Sequence, residues 1–139
     1  MIAPDRADEI VRLTAAATRA MEQAYAPYSG FRVGAALLGT DGQIFAGCNV
    51  ENASYPAGIC AERGAVAAAV VAGVRRFQAL VVSTEAEQPT SPCGMCRQVL
   101  MEFAPSLAII SVTSRGATAR WELRELLPAP FSPESLAHA

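Results

Sequence analysis

Cys93 and Cys96, joined at a distance by Cys60, restrict the fold of this chain more than any other feature. A Cys-x-x-Cys pair lets two thiolates reach one tetrahedral ion. Cys60 opens one predicted helix, Cys60 to Ala72, and Cys93 or Gly94 opens another, which runs to Phe103. Helix N-termini carry partial positive charge, which lowers thiol pKa values and stabilises thiolates. A metal wedged between two such helix ends is physically well placed, and the fold must then bring those ends together.

Several other chemistries are closed to the sequence. It contains no lysine, so Schiff-base chemistry and a P-loop lysine are excluded. Its single histidine, His138, is the penultimate residue, a poor place from which to build a general base or a triad. A net charge of −2 gives no basic field to gather a polynucleotide. Hydrophobic residues make up 52% and charged residues 17%, a balance that predicts one compact domain over residues 1–139, with further burial between subunits. Acidic Asp5, Asp8 and Glu9 near the N-terminus, without an early apolar run, argue against a signal peptide. The longest apolar stretch, Gly64 to Val74, is too short and too rich in alanine to span a bilayer. The expected compartment is therefore the cytoplasm, where four cysteines are reduced thiols or metal ligands rather than a disulfide framework.

Periodicity predicts a helix over Asp5 to Tyr25, with Ile10, Leu13, Ala17, Met21 and Ala24 on one face and Asp5 with Asp8 at its start. Phe31 to Leu38 and Gln43 to Cys48 read as a hairpin around Asp41-Gly42. Asn49 to Gly58 is a polar loop. The central helix from Cys60 follows, then a strand at Ala79 to Ser83, the helix after Pro92, and a strand at Leu107 to Val112. A final strand and short helix are expected between Ala117 and Leu127, while Ser114 to Arg120 shows no assignable motif. Alternating strands and helices point to a three-layer α/β domain with a mixed sheet opened by a hairpin.

Three cysteine ligands leave a fourth position for water, the mark of a catalytic zinc. Glu62, two residues after Cys60, is placed by sequence to take that water's proton. Three thiolates around Zn²⁺ leave a net charge of about −1, which weakens the ion as a Lewis acid. Arg63 is the candidate to draw density back from the sulfurs. A competing arrangement adds Cys48 to make a structural Cys₄ site, and spacing alone leaves the two readings level. Cys48 ends an apolar strand, where a buried free cysteine commonly serves as a small hydrophobe.

Cys60-Ala61-Glu62-Arg63, followed by Pro92-Cys93-Gly94-Met95-Cys96-Arg97-Gln98, resembles the zinc-dependent cytidine deaminases of the short, homotetrameric type. Ala26 to Leu37 looks like that family's first strand and its approach, Gly47 to Pro56 like its ribose-binding segment, and Leu126-Leu127-Pro128 with Phe131 like its C-terminal motif. One departure is Ser132, where a glycine is common after the terminal phenylalanine.

The resemblance implies a three-layer α/β/α fold with a mixed five-stranded sheet and one Zn²⁺ per subunit, held by Cys60, Cys93 and Cys96. It makes Glu62 the proton shuttle and Arg63 the partner of the thiolates. Asn49 and Glu51 would hold sugar hydroxyls, Phe31 would pack against the pyrimidine, and Ala61 would offer its backbone N–H to the base. Tyr55 would lie near the site, and Phe131 would cover the substrate of a neighbouring subunit in a homotetramer. The implied reaction is hydrolysis of cytidine and 2′-deoxycytidine to uridine and 2′-deoxyuridine with release of ammonia, in pyrimidine salvage. Three alternatives remain: another aminopyrimidine substrate such as an antibiotic of the blasticidin type, a polynucleotide editor (disfavoured by the lack of a basic, aromatic-rich groove), and a structural-zinc binding module.

Overall fold

Alternation of side chains along β1 (Val33–Gly39) divides the molecule into layers. Ala36 and Leu38 point to one face, where they meet Leu13 and Ala17 of α1 (Ala7–Glu22) together with Val81 and Ile110. Ala35 and Leu37 point to the other, against Ala61, Ala65 and Ala69 of α2 (Ala61–Val71) and Leu100 of α3 (Gly94–Phe103). The remaining elements are β2 (Ile44–Cys48), a 3-10 turn at Tyr55–Ala57 within the polar loop, β3 (Phe77–Thr84), β4 (Ala108–Thr113), β5 (Thr118–Glu122) and two short helices, α4 (Leu123–Leu126) and α5 (Pro133–Leu136). The computed structural model describes residues 6–137; Asp5, assigned above to the first helix start, and His138 lie outside the described residues.

The strands form one sheet in the order β2-β1-β3-β4-β5. Only β3 and β4 run parallel; the other neighbours are antiparallel. This is the mixed sheet between helical layers that the alternation of elements predicts, with the five strands that the resemblance implies. β1 and β3 are buried almost end to end because helices cover both faces, and each has a continuous apolar run at its heart, Ala35 to Leu38 and Ala79 to Val82. Two glycines permit the closest approaches. A Cβ at Gly34 would lie 1.9 Å from the Ala17 carbonyl oxygen of α1, and one at Gly47 would lie 2.4 Å from the Ala61 carbonyl oxygen of α2. Each helix therefore rests directly on strand backbone, and Gly47 sets the height of the first turn of α2.

Several boundaries shift by one to three residues from the sequence expectation, and hydrogen bonds account for two of them and for the stretch left unassigned. α1 stops at Glu22 rather than Tyr25, because Tyr25 N–H donates to the Asn49 carbonyl (3.0 Å) and Tyr25 C=O accepts from Glu51 N–H (2.8 Å). β1 begins at Val33 rather than Phe31, because the Asn49 side chain takes the place of a ladder partner there: its Nδ2 donates to Phe31 C=O (2.8 Å) and its Oδ1 accepts from Val33 N–H (2.9 Å). Ser114 to Arg120 is a hairpin turn and the first half of β5, closed by Thr113 N–H to Ala117 C=O (2.9 Å). β5 is an edge strand with no fully buried residue, so it lacks the apolar alternation that marks a strand in sequence. α5, which the sequence reading did not anticipate, is capped by Ser132, whose N–H donates to Ser135 Oγ (3.1 Å).

Candidate active site and metal centre

α2 and α3 lie on the same face of the sheet, and their first residues converge near the carboxyl end of β3. Cys60 and Cys93 occupy the N-cap positions of the two helices, both with extended backbone and with sulfurs that cap nothing. Cys96 follows within the first turn of α3 and is fully buried. The three sulfurs all lie within 4.8 Å of one another, and Cys60 Sγ is 3.8 Å from Cys93 Sγ. A Zn–S bond of about 2.3 Å in a tetrahedron requires sulfurs about 3.8 Å apart, which the Cys60–Cys93 pair already shows, and the third sulfur is within reach of the same ion. Thiolate donors at helix N-termini also suit a borderline-soft ion.

Cys48 stands apart. Among the described residues the metal-capable cluster consists of Cys60, Cys93 and Cys96, and Cys48 ends β2 outside it. The Cys₄ arrangement left open by spacing is therefore not formed.

The electrostatics follow from placing three thiols together beside one guanidinium. The Cys60 thiol is pushed down to about 5, foremost by its contact with Cys96 and further by Arg63 and Cys93. Cys96 moves the other way, because a second negative sulfur beside Cys60 is disfavoured and burial adds to the penalty. Arg63 reaches Cys60 Sγ at 3.7 Å, and this contact raises the pKa of its guanidinium. Its Nε is buried with no hydrogen-bond partner among the described residues.

Glu62 sits in the first turn of α2 and is only 5% exposed. Burial raises its carboxyl to about 7; the Cys60 thiolate pushes in the same direction, while its own backbone N–H and Arg63 oppose. A carboxyl that exchanges protons near neutrality is suited to general acid–base work.

A cavity of about 230 Å³ opens beside Cys60, Cys93 and Glu62. Phe31, Asn49, Glu51 and Ala61 line it as well. Phe31 is 39% exposed and stands in the loop before β1, not inside the strand. Ala61 is the first residue of α2, where backbone N–H groups have no partner within the helix. Asn49 and Glu51 point to the same side, as their alternation with Val50 predicts, but both are engaged with the segment from Tyr28 to Val33. Glu51 Oε1 accepts from Tyr28 N–H (2.9 Å) and Ser29 N–H (3.0 Å), and its Oε2 accepts from Ser29 Oγ. These bonds, those from Ser29 first, hold its carboxyl below the usual range.

Of the residues named from the sequence as substrate contacts, two lie off this cavity. Tyr55 is in a neighbouring hollow of about 330 Å³ that shares Ser29 and Glu51 with it, its ring 6.1 Å from that of Tyr28 in an edge-on contact. Phe131 does not line the cavity beside its own chain's cysteines; its carbonyl accepts from Gln98 Nε2 of α3 (2.8 Å) and its residue is 60% exposed.

The structure adds residues that the sequence reading passed over. Ser29, Val82, Thr84, Thr90 and Ser91 also line the cavity. Arg97, quoted above only as part of a motif, donates to Pro92 C=O (2.7 Å), Ser91 Oγ (2.8 Å) and Leu126 C=O (2.8 Å), fixing the segment that delivers Cys93. Its position four residues after Cys93, on the next turn of the helix, was the available signal.

Comparison with known proteins agrees with this geometry. The family model for the cytidine and deoxycytidylate deaminase zinc-binding region matches residues 8–112. A cytidine deaminase of Sporosarcina psychrophila is 47% identical over 132 residues, which cover 94% of this chain and 97% of that protein. One from Mycobacterium tuberculosis H37Rv is 42% identical over 120 residues, covering 86% and 87%. Among solved structures, a cytidine deaminase from Burkholderia pseudomallei superposes with a TM-score of 0.84 at 47% identity, covering 87% of this chain and 98% of that one. A Mycobacterium tuberculosis structure gives 0.77 at 41% identity, covering 88% and 97%. Because the likeness runs nearly end to end at this identity, and the cysteine cluster fits the metal that the matched region binds, the chain belongs to the zinc-dependent cytidine deaminase family, in its short form.

Proposed function

We propose that this single-domain enzyme hydrolyses the 4-amino group of cytidine and 2′-deoxycytidine, giving uridine or 2′-deoxyuridine and ammonia in cytoplasmic pyrimidine salvage, and that it works as a homotetramer. The observation that carries the reading is the buried Glu62 carboxyl, raised to about 7, in the cavity walled by two of three clustered cysteines. Cys60, Cys93 and Cys96 hold zinc, which when bound supplies a Lewis acid that makes hydroxide available near neutral pH.

The chain's own groups then act in order. Phe31 meets the pyrimidine face, Ala61 N–H binds the base, and Asn49 with Glu51 takes the sugar. Glu62 accepts a proton from the attacking water and delivers it to N3. As oxygen adds to C4, the ring becomes tetrahedral there, and Glu62 passes the second proton to the amine, which leaves as ammonia. The burial that raises Glu62 also keeps competing water from its proton. Arg63 offsets the negative charge of the three sulfurs. Phe131, exposed and tethered to α3 through its backbone, is free to reach a neighbouring subunit's cavity, and Tyr55 lies at the rim of its own.

The test is loss of the ultraviolet absorbance of cytidine, run with wild type, Glu62→Gln and Cys48→Ser, with zinc measured in each. Wild type and Cys48→Ser turn over and hold one zinc per chain. Glu62→Gln keeps its zinc and loses about 10²–10⁴-fold in kcat. Full zinc without turnover of cytidine would sink the reading, and free cytosine and a blasticidin-type aminopyrimidine would be the next substrates offered.

A further inference from the structure

The turn from Tyr28 to Phe31 carries part of the proposed nucleoside site, and one hydroxyl in it makes two bonds at once. Ser29 Oγ accepts the Phe31 N–H (3.0 Å) and at the same time donates to Glu51 Oε2. Gly30 between them has φ +68°, a conformation in which a residue with a Cβ would be strained, and its N–H closes the turn on Ala26 C=O (3.0 Å). The side-chain and backbone donors that reach the Glu51 carboxylate come from Tyr28 and Ser29, two consecutive residues of this turn. An ionised carboxylate only accepts hydrogen bonds, and bonds to a charged group are the stronger kind. Ser29 and Glu51 also line both the cavity beside Cys60 and the hollow beside Tyr55, so they stand at the junction between the two.

We propose that Ser29 is a positioning residue for the substrate's sugar: by binding Glu51 and the Phe31 N–H at once, it fixes the carboxylate as an acceptor for a sugar hydroxyl and ties that acceptor to the ring that meets the base. The inference deepens the nucleoside reading and rests on it. Cytidine and 2′-deoxycytidine share their 3′ and 5′ hydroxyls, so the donor that Glu51 receives is one of these two. Without the Ser29 hydroxyl, Oε2 loses its protein donor, and the Phe31 N–H loses its acceptor.

The experiment compares kcat and KM of wild type, Ser29→Ala and Ser29→Thr on cytidine, 3′-deoxycytidine and 5′-deoxycytidine, with zinc content measured for each protein. Ser29→Ala is expected to raise KM for cytidine on the order of tenfold, the effect of losing one hydrogen bond to a charged acceptor, with kcat held within about twofold. Ser29→Thr restores most of the loss. On one of the two deoxynucleosides, the one lacking the hydroxyl that Glu51 receives, Ser29→Ala leaves KM unchanged. Equal effects on all three nucleosides, a fall in kcat at constant KM, a loss of zinc, or no change at all would overturn the proposal. A Ser29→Ala protein that failed to fold would assign the hydroxyl to the fold and overturn it too. Failure of the underlying reading is separately visible, since wild type would then not turn over cytidine and neither conclusion would stand.

Discussion

The metal cradle and the wall proposed to meet the nucleoside face one another across the same cavity, yet they are built by opposite means. The cradle is made of regular elements. Cys60 and Cys93 cap helices, Cys96 sits on the first turn, and the backbone of α2 and α3 decides where the sulfurs go. The wall is made of irregular chain, and its geometry is decided by side chains that bind backbone: Asn49 bridges Phe31 and Val33, and Glu51 grips Tyr28 and Ser29. A site on rigid elements can hold an ion to tenths of an ångström, whereas a wall of loops is only as fixed as its polar network. The groups proposed to bind substrate are thus the groups that build the wall, and damage to them should affect binding before chemistry.

The largest effect expected on the cradle side comes from Cys96→Ala. With two sulfurs left, zinc is lost and deamination falls to background. Loss of a tightly held ligand removes about 4 kcal/mol or more of stability when it is present far above its dissociation constant. In a domain of this size that lowers the thermal midpoint by roughly 10 °C or more. Zinc analysis and calorimetry in the presence and absence of a chelator check it: the chelator should destabilise wild type and leave the mutant alone. A Cys96→Ala protein that kept full zinc would show that the cradle is not what holds the ion.

On the wall side, Asn49→Ala is the sharper counterpart. It strands the Phe31 carbonyl and the Val33 N–H at the mouth of β1, a loss of about 1–3 kcal/mol if water cannot reach both. Zinc content should stay at one per chain, and KM should rise more than kcat falls. Asn49→Asp keeps the acceptor for Val33 N–H but turns the donor facing Phe31 C=O into a second acceptor, so it should rescue little. If either substitution released zinc, the two regions would be mechanically one, and cradle and wall would not be built independently.

The same contrast explains what could be read from the sequence. The cradle was legible because a Cys-x-x-Cys at a helix start is a local pattern whose chemistry hardly depends on the rest of the fold. The strands β1 and β3 were legible because burial on both faces leaves a continuous apolar run. β5 was only half legible, since an edge strand with Arg120 and Glu122 on one face carries no such run. The wall was legible as residues but not as bonds. Asn49 and Glu51 stand out as polar residues at alternate positions, but nothing local shows that their partners lie at 28–33, because those contacts are created when β1 and β2 pair. Ser29 was missed for the same reason: a serine before a glycine reads as turn chemistry until the carboxylate it serves is in place.

The smallest expected effect is the most selective probe of the wall. Glu51 is half-buried, and its carboxyl is held below the usual value by Ser29 and the backbone N–H groups of Ser29 and Tyr28. A carboxyl whose pKa is depressed on folding contributes stability above its unfolded pKa of about 4.3 and loses that contribution as pH falls through the folded value. Glu51→Gln, which keeps the shape and removes the charge, should therefore be less stable than wild type from pH 5 to 8, and the gap should close as the pH is lowered below about 4. The comparison is a difference between two proteins at each pH, so titration of the thiols and of Glu62, common to both, drops out to first order. Thermal midpoints measured across that range check it. A gap that stayed constant down to pH 3 would mean that the turn is held by shape and not by charge, and would move the fixing of the wall from Glu51 to Asn49.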